Sequence, residues 1–193
     1  MTDPDLNLDN VLSDIWLTLG RARADARHAW RYPVFGTIDS DGWPMSRTVG
    51  LREVDATSRK LAIHTDVRAA KVQEVIDHSK CSLLFYNPRT MEQLRVTGLA
   101  GLRGEAETAD AWSKLSVHQH HNYSVDPAPG SEIAAWNDYG HAATAETIAA
   151  RFRVIDVSVV SFDWIRLDRP VNGIGHKRAA FNLEAKTGNW LVP

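Results

Sequence analysis

The chain has 193 residues, of which 44% are hydrophobic and 24% charged, and its formal net charge is −2. This length favours one domain with a single sizeable core, so we expect one domain over residues 1–193. The near-neutral charge excludes the basic excess typical of a nucleic-acid-binding protein and favours a small-molecule partner.

The N-terminal residues, the length of the apolar runs and the single cysteine indicate the compartment of the protein. The first seven residues are acidic and lack the basic and apolar segments of a secretion signal. No apolar run approaches the roughly 20 residues that cross a bilayer, so we predict no membrane partner and a cytoplasmic location. Cys81 lies within an apolar run, which predicts a buried structural thiol rather than a redox centre.

The predicted elements begin with an amphipathic helix over about residues 9–28, capped by Asp9 or Asn10. Short strands follow, with helices between some of them. The predicted strands cover residues 34–38, 44–52, 61–65, 81–86, 93–102, 153–160, 162–167, 179–183 and 189–192. The later helices are predicted over residues 68–78, capped by Asp66, and over 109–117 and 142–150, while residues 118–129 remain an unassigned polar loop. This pattern predicts an α+β domain built on a closed or partly closed antiparallel barrel.

Two adjacent segments carry several groups that bind anions. Arg47 lies on a predicted strand, Thr65 ends the next strand, and Lys71 lies in the first turn of the following helix. A guanidinium, an ammonium group and the free N–H groups of a helix start all complement a phosphomonoester. Arg68 adds a second cation where the helix dipole favours acids, and a bound anion would repair that mismatch. Asp66 and solvent would also repair it.

Strand periodicity separates the two arginines of the first segment. Side chains alternate between the faces of a strand, so Arg47 and Arg52 cannot both meet one ligand from a regular strand. A bulge near Gly50 would change this relation. Taken alone, the two strand arginines are better explained as solvated or ion-paired surface groups, and the following segment is what favours an anion site.

Other patterns give weaker signals. The histidines at 118, 120 and 121 have no Cys, Asp or Glu at a recognised ligand spacing, so no metal site is predicted. The glycines at 98, 101 and 104 are not followed by a helix, so they do not form a dinucleotide-binding fingerprint. Near the C-terminus, Trp164 is suited to packing on a planar ligand and Arg178 to contacting its polar edge. A barrel-closing strand with exposed basic residues explains this segment equally well.

From about residue 31 to residue 193, these motifs resemble the pyridoxamine 5'-phosphate oxidase-like, FMN-binding split-barrel family. Arg47-Thr-Val-Gly-Leu-Arg52 resembles the family's Arg-x-Val-x-Leu-Lys strand. His64-Thr65 resembles its Tyr-Thr pair, and Lys71 resembles the lysine that closes its Ser-Arg-Lys motif. The remaining matches are Gln93 for the glutamine of Gln-Val-x-Val-x-Gly, Trp164 for the tryptophan near the flavin, and His176-Lys-Arg178 for the terminal His-x-Arg.

The resemblance implies an antiparallel split β-barrel with flanking helices, and a homodimer with FMN in each of two interfacial sites. It implies that Arg47, Thr65 and Lys71 hold the phosphate and ribityl region of FMN. The residues that it assigns to the cofactor are Arg47, Thr48, Val49, His64, Thr65, Arg68, Lys71, Gln93, Trp164 and Arg178. The residues that it assigns to the substrate are Arg52, Tyr123, Ser131 and His176.

The chain departs from the family mainly on the substrate side. Ala69-Ala-Lys71 stands where the oxidases carry Ser-Arg-Lys, and Arg52 replaces the lysine that contacts the substrate phosphate. Pro127 and Ile174 occupy the places of two substrate-contacting arginines. Each lost charged hydrogen bond costs roughly 1.5 to 3 kcal/mol, so efficient oxidation of pyridoxamine 5'-phosphate is not expected.

The leading hypothesis is an FMN-binding flavoprotein, an oxidoreductase that acts on a small molecule by hydride transfer at the flavin. The first alternative is a true pyridoxamine or pyridoxine 5'-phosphate oxidase whose flavin is reoxidised by O₂. The second is a non-catalytic flavin-binding or stress-related module that stores or senses FMN. A metal protein without flavin, built on the histidines around residue 118, is the most distant alternative.

Overall fold

The computed structural model describes residues 6–142, 144–169 and 175–193. Ile174, one of the substrate-side departures, lies outside the described residues. The helices are α1 (Leu8–Ala24), α2 (Ala70–Asp77), α3 (Glu105–Ser113), α4 (Val117–His121) and α5 (Ala145–Arg151), and a 3₁₀ turn covers Ala29–Arg31. The strands are β1 (Val34–Ile38), β2 (Pro44–Thr48), β3 (Leu51–Asp55), β4 (Lys60–Asp66), β5 (Lys80–Asn87), β6 (Glu92–Leu102), β7 (Val125–Asp126), β8 (Gly140–His141), β9 (Phe152–Arg166), β10 (Lys177–Asn182) and β11 (Thr187–Leu191).

The main sheet divides at β9. Its strand order is β11-β10-β9-β6-β5-β1-β2, and all neighbouring strands are antiparallel. One edge of β9 pairs with β6, while its other edge pairs first with β4 and then with β10. β3 pairs with β4 and follows β2 after only two residues, so the strands nearly complete a ring that stays open between β2 and β3. The described residues show no pairing between β2 and β3, which confirms an α+β split barrel with flanking helices.

Two predicted strand boundaries were wrong, each for its own reason. The predicted strand 44–52 is two strands, because the chain leaves β1 at Val49 and Gly50 and turns to pair with β4. The predicted strands 153–160 and 162–167 are one strand. A register shift opposite Thr97 and Gly98 leaves Val160 as an extra residue without ending the pairing.

Several helix predictions also needed correction. Asn7 is the N-cap of α1, because its side chain accepts a hydrogen bond from the backbone N–H of Asn10 at 2.9 Å. Asp66 does not cap α2, which begins four residues later after Ala69 without a side-chain cap. The predicted helix at 109–117 is α3, which begins and ends earlier. Part of the unassigned loop forms α4, which is closed by a capping box between Ser116 and Gln119.

The apolar side chains form two clusters on the two faces of the barrel wall. The larger cluster fills the barrel and includes Phe35, Leu51, Ile63, Leu83, Phe85, Leu94, Ile155 and Trp164, with α1 packed against it through Ile15 and Leu19. The smaller cluster lies outside β4 and β9, beneath α3 to α5, and contains Ala62, Ala111, Tyr123, Phe152 and Val154. Cys81 is buried, as predicted. Among the described residues, no helix is long and apolar enough to span a membrane.

The register shift between β6 and β9 depends on Gly98. A Cβ atom at this position would lie 2.6 Å from the carbonyl oxygen of Ser158 and 2.7 Å from Cγ1 of Val157. Such overpacking costs about 1 to 3 kcal/mol, so Gly98→Ala is expected to lower the free energy of unfolding by this amount. Urea denaturation measures the change.

Gly101→Ala is the matched control, because Gly101 lies on the same strand and a Cβ atom there meets nothing within 4 Å. Equal stabilities of the two variants would show that the close approach of β6 to β9 at Gly98 does not constrain the fold.

Candidate functional site

Arg47, Thr65 and Lys71 lie together at one end of the barrel, on β2, at the end of β4 and in the first turn of α2. Lys71 Nζ donates a hydrogen bond to Thr65 Oγ1 at 3.2 Å. Burial lowers the pKa of Lys71, and the positive charge of Arg47 lowers it further, while Glu74 and Asp66 act in the opposite direction. We call Arg47, Thr65 and Lys71 the cationic grip.

The grip lies beside the start of α2, where no side chain caps the helix. The first N–H groups of a helix have no partner within the helix, and the helix dipole places partial positive charge there. The location therefore combines two cations, a hydroxyl group and a helix N-terminus, which together suit a phosphate group.

Arg47 is held in place by a buried acid that the sequence analysis missed. Arg47 Nη2 donates to Glu74 Oε2 at 2.7 Å, and Arg47 Nη1 donates to Thr37 Oγ1. The Thr37 hydroxyl donates in turn to Glu74, whose side chain is buried. A buried carboxylate is stable only when paired and hydrogen-bonded, so Arg47 and Glu74 constrain each other. Helical periodicity could not find Glu74, because the apolar face expected from Val72, Val75 and Ile76 does not include it. The structure turns the helix so that Ile76 is exposed and Glu74 is buried.

The other cofactor candidates on the same segments point elsewhere. Thr48 is exposed, and Val49 is buried with its backbone N–H bonded to the carbonyl oxygen of Pro33 at 3.0 Å. His64 precedes Thr65 on β4 and therefore faces the opposite side of the strand. Its ring packs edge-on against Phe152 at a centroid distance of 4.9 Å, and its Nε2 is buried without a hydrogen-bond partner in the described structure.

Arg68 is committed to an ion pair rather than to the grip. Its Nη2 lies 2.7 Å from Asp66 Oδ2, and its Nη1 lies 3.3 Å from Asp126 Oδ1. Nη2 also donates to the carbonyl oxygen of Val125 at 2.8 Å. Arg68 thus attaches the β7 segment to the end of β4, and its charge is largely balanced by two carboxylates.

The residues predicted to border the flavin lie on different faces of the sheet. Gln93 and Arg178 both pair with Ile165, so both side chains are on the outer face. Trp164 faces inward, is 3% exposed, and donates from Nε1 to Glu92 Oε1 at 2.5 Å. Arg178 forms two hydrogen bonds to Asp163, at 3.0 and 2.8 Å.

Within a single protomer, Gln93 and Arg178 also lie far from the grip. Five strand spacings lie between β2, which carries Arg47, and β10, which carries Arg178. At about 4.8 Å for each spacing, the separation is about 24 Å along the sheet. Gln93, on β6, is about 14 Å from β2 by the same measure. Within one chain, Arg178 therefore does not approach the grip.

The substrate candidates are only partly brought together. Arg52 is the extra residue of a bulge, because Leu51 and Glu53 pair with the successive residues Ile63 and Ala62. The sequence anticipated an irregularity near Gly50, and the shift lies two residues further on. Arg52 and Arg47 nevertheless occupy different places, since Arg47 contacts α2 while Arg52 lies near His64.

Tyr123 is buried within the smaller cluster, close enough to Arg52 for the arginine charge to affect its phenol. Burial raises the pKa of Tyr123 to about 12, and Arg52 partly opposes this shift. Ser131 and His176 are both exposed. Within the described ranges, no hydrogen bond or ion pair joins Ser131 or His176 to Arg52 or Tyr123.

The histidine-rich segment is part of α4 and packs locally. The His120 ring stacks on Trp112 at 3.9 Å, and the rings of His121 and His141 stack at 4.6 Å. The Ser124 hydroxyl lies 2.7 Å from His141 Nδ1. Among residues 6–142, 144–169 and 175–193, no three or more His, Cys, Asp and Glu side chains are arranged to hold a metal ion.

Comparison with known proteins supports the resemblance seen in the sequence. A family model described as pyridoxamine 5'-phosphate oxidase, FMN-binding domain, matches residues 15–103. The pyridoxine/pyridoxamine 5'-phosphate oxidase of Caulobacter vibrioides is 30% identical over 148 residues, which cover 77% of this chain and 60% of that protein. A pyridoxamine 5'-phosphate oxidase-related, FMN-binding protein from Nostoc punctiforme PCC 73102 matches the structure with a TM-score of 0.73 and 19% identity, covering 97% of this chain and all of that chain.

The chain belongs to the pyridoxamine 5'-phosphate oxidase-like family. PhzG from Burkholderia lata 383, in complex with tetrahydrophenazine-1-carboxylic acid, shares the fold, with a TM-score of 0.68 and 19% identity over 99% of this chain and 95% of that chain. The matched part of the family model contains the grip and Gln93, whereas Trp164 and Arg178 lie beyond it. The match to the Caulobacter relative spans about 60% of that protein's length.

The environment of His64 makes the free energy of unfolding of the protein depend on pH. Burial, assisted by the charge of Arg52, lowers the pKa of His64 from 6.5 to about 4. Between these values the unfolded chain binds a proton that the folded chain does not, so the unfolding free energy falls as the pH drops from about 6.5 to about 4. The His64 share of this loss between pH 7 and pH 5 is about 2 kcal/mol.

Urea denaturation of the wild type and His64→Gln at pH 7 and pH 5 isolates this share. The variant should lose about 2 kcal/mol less than the wild type between the two pH values. His118→Gln, which removes an exposed histidine, should behave like the wild type. Equal losses in the wild type and His64→Gln would contradict the assignment.

Proposed function

We propose that the chain is an FMN-binding flavoprotein, an oxidoreductase that acts on a small molecule by hydride transfer at the flavin. The observation that carries this proposal is the convergence of Arg47, Thr65 and Lys71 beside the uncapped start of α2. The description of the matching family domain as FMN-binding supports FMN as the ligand.

The charges at the grip fit a phosphate group. Arg47 and Lys71 supply two cations, and Glu74 is the carboxylate paired with Arg47. Burial and the neighbouring guanidinium weaken the hold of Lys71 on its proton, and a phosphate beside the ammonium group would reverse that effect. Glu74 and Thr37 fix the Arg47 side chain before a ligand arrives, which reduces the entropy lost on binding.

When bound, FMN would supply the redox chemistry, accepting a hydride from a reduced small molecule and passing the electrons to an acceptor. The chain's own residues would bind and orient the flavin. Arg47, Thr65 and Lys71 would hold the phosphate end, while Gln93 and Arg178 would contact the polar edge of the ring. Trp164 lies behind this face of the sheet and would support it from within the core.

A homodimer would bring the separated halves of this site together. The outer face of the sheet is crossed by one row of residues in register, Thr48, Val34, Leu84, Arg95, Asp163, Ala180 and Asn189. It exposes apolar side chains that include Val34, Leu84 and Tyr86. We propose that two copies pair through this face, so that Arg178 of the partner subunit approaches the grip. This arrangement agrees with the interfacial FMN sites that the family resemblance implies.

A true pyridoxamine or pyridoxine 5'-phosphate oxidase is the second candidate function. The name of the Caulobacter relative favours it, and the proximity of Arg52 to Tyr123 preserves part of a phosphate site. Pro127 opposes it, because a proline cannot replace the arginine expected there. Formation of pyridoxal 5'-phosphate and peroxide from pyridoxamine 5'-phosphate would favour the oxidase. Tight FMN retention without turnover of any tested donor would favour the non-catalytic module.

The proposal predicts that the protein retains FMN. Purified protein supplemented with FMN and then desalted is expected to show flavin absorbance, and mass analysis of the extracted chromophore is expected to identify FMN. Lys71→Met, which keeps most of the side-chain volume but removes the charge, should weaken FMN binding about tenfold to a hundredfold. Flavin fluorescence titration measures the affinity.

Lys60→Met is the control for the loss of charge, because Lys60 is exposed at the other end of β4. Its FMN affinity should equal that of the wild type. A wild-type protein without flavin absorbance would refute the proposed function, whereas unchanged affinity in Lys71→Met would refute only the role of the grip.

The proposed dimer has its own test. Light scattering should give the wild type the mass of two chains, against 21.5 kDa for one. Leu84→Glu introduces a charge in the middle of the outer face and should yield monomers. Leu17→Glu, at an exposed leucine on α1, should leave the dimer intact. A monomeric wild type, or a dimeric Leu84→Glu variant, would contradict pairing through this face.

The cytoplasmic location expected from the sequence stays a prediction.

A further inference from the structure

A cavity of about 770 Å³ lies on the opposite side of β4 from the grip. It is bounded by the C-terminal part of α1, by β3 and β4, and by α3 with the segment that follows it. Its volume is within the range of small-molecule sites in proteins. Its ionisable lining residues are Arg23, Arg31, Arg52, Glu53, His64, Arg103, Asp110 and Lys114.

Two of these cations are balanced by carboxylates. Arg103 donates to both carboxylate oxygens of Glu53, each at 2.9 Å, and also binds Asp156. Lys114 Nζ donates to Asp110 at 2.5 Å. Glu53 and Asp110 are the two acids in the cavity lining, so both are already used.

The other three arginines are not balanced. Within the described part of the chain, none of Arg23, Arg31 and Arg52 forms an ion pair with a carboxylate. Arg31 Nη1 donates to the carbonyl oxygens of Arg23 and Leu51, at 2.5 and 2.6 Å, and Arg23 Nε donates to that of Arg52 at 3.1 Å. Neutral carbonyl oxygens position these groups without cancelling their charge.

Local backbone features place Arg52 at this cavity. Arg52 is the bulged residue of β3, and a Cβ atom at Gly50 would lie only 3.2 to 3.3 Å from its guanidinium group. The glycine therefore leaves room for the Arg52 side chain against the backbone. Two further nitrogen atoms of lining residues, Arg31 Nε and His64 Nε2, are buried without a hydrogen-bond partner in the described structure.

We propose that this cavity is a second anion-binding site, which takes a small organic molecule carrying two or three negative charges on carboxylate or phosphate groups. Three guanidinium groups without a carboxylate partner line this partly open cavity, and two or three negative charges would balance them. The cavity volume favours a small molecule over a polymer, and so does the net charge of −2. Arg23 and Arg31 carry the inference beyond the substrate residues that the family resemblance assigns.

The site is separate from the grip. His64 lines the cavity, whereas Thr65, the next residue of β4, contacts Lys71. Successive strand residues face opposite sides, so a ligand in the cavity does not occupy the place proposed for the FMN phosphate. The cavity shares Arg52 and His64 with the residues that the family resemblance assigns to substrate and cofactor, so the proposal rests in part on the proposed function. The Lys71→Met variant distinguishes the two sites.

Isothermal titration calorimetry of the full chain, with FMN in excess, tests the site with pyrophosphate, citrate and acetate. Pyrophosphate, citrate or both should bind saturably at one site per chain, and acetate at least tenfold more weakly. The stronger of the two multiply charged probes tells whether phosphate or carboxylate groups are preferred. Saturable binding by neither of them would overturn the proposal.

Charge-removing variants locate the binding. Arg23→Gln and Arg52→Gln should each weaken the binding of the better probe about tenfold or more. Arg27→Gln removes an arginine close in sequence whose side chain is 96% exposed, and should leave binding unchanged. Equal weakening by Arg27→Gln would indicate non-specific attraction and overturn the proposal.

Lys71→Met separates the cavity from the grip. This variant should bind the probe like the wild type while its FMN affinity falls. Loss of probe binding in Lys71→Met would place the anion at the grip and overturn the proposal. Arg23→Gln should retain the FMN affinity of the wild type, and its circular dichroism spectrum verifies that this exposed position tolerates the change. If Arg23→Gln bound the probe as tightly as the wild type, the cavity would not be the site.

Discussion

The antiparallel pairing of β9 with three other strands is the constraint on which the rest of the structure depends. β9 is hydrogen-bonded to β6 along one edge, and to β4 and then β10 along the other. The first half of β9 therefore belongs to the partly closed barrel, and the second half extends the sheet beyond it. The grip lies beside the barrel strands, whereas Arg178 lies on the extension. Because of this division at β9, the residues that the family resemblance assigns to one flavin lie far apart within a single protomer.

Alternation of side chains then decides which surface each residue serves. His64 and Thr65 are adjacent in sequence, yet one lines the cationic cavity and the other contacts Lys71. Trp164 is buried in the core, while Ile165 shares the outer face with its neighbours Gln93 and Arg178. A shift of one residue in either strand would exchange these roles, so the register of β4 and β9 determines both candidate sites.

Both candidate sites contain cations that form no ion pair with a carboxylate of the described residues, although the whole chain is slightly acidic. At the grip, Glu74 pairs with Arg47, and Lys71 remains as the poorly solvated cation. In the cavity, the acids of the lining are paired with Arg103 and Lys114, and three arginines remain. Charges of one sign held together in partly buried places cost free energy unless a ligand supplies the opposite sign. This arrangement is the physical basis for both proposals.

The sequence by itself determined the type of most elements and the family, and it selected the three residues that the structure brings together in the grip. Hydrophobic periodicity located α1, β1 and β5, and residue chemistry selected Arg47, Thr65 and Lys71, because these signals are local. Only the tertiary structure decided which residues meet across the chain. The pairing of Glu74 with Arg47, the inward position of Trp164 and the gathering of Arg23, Arg31 and Arg52 depend on contacts between distant segments. Such contacts follow from strand register and from the bend at Gly50, and neither property is encoded in a short stretch of sequence.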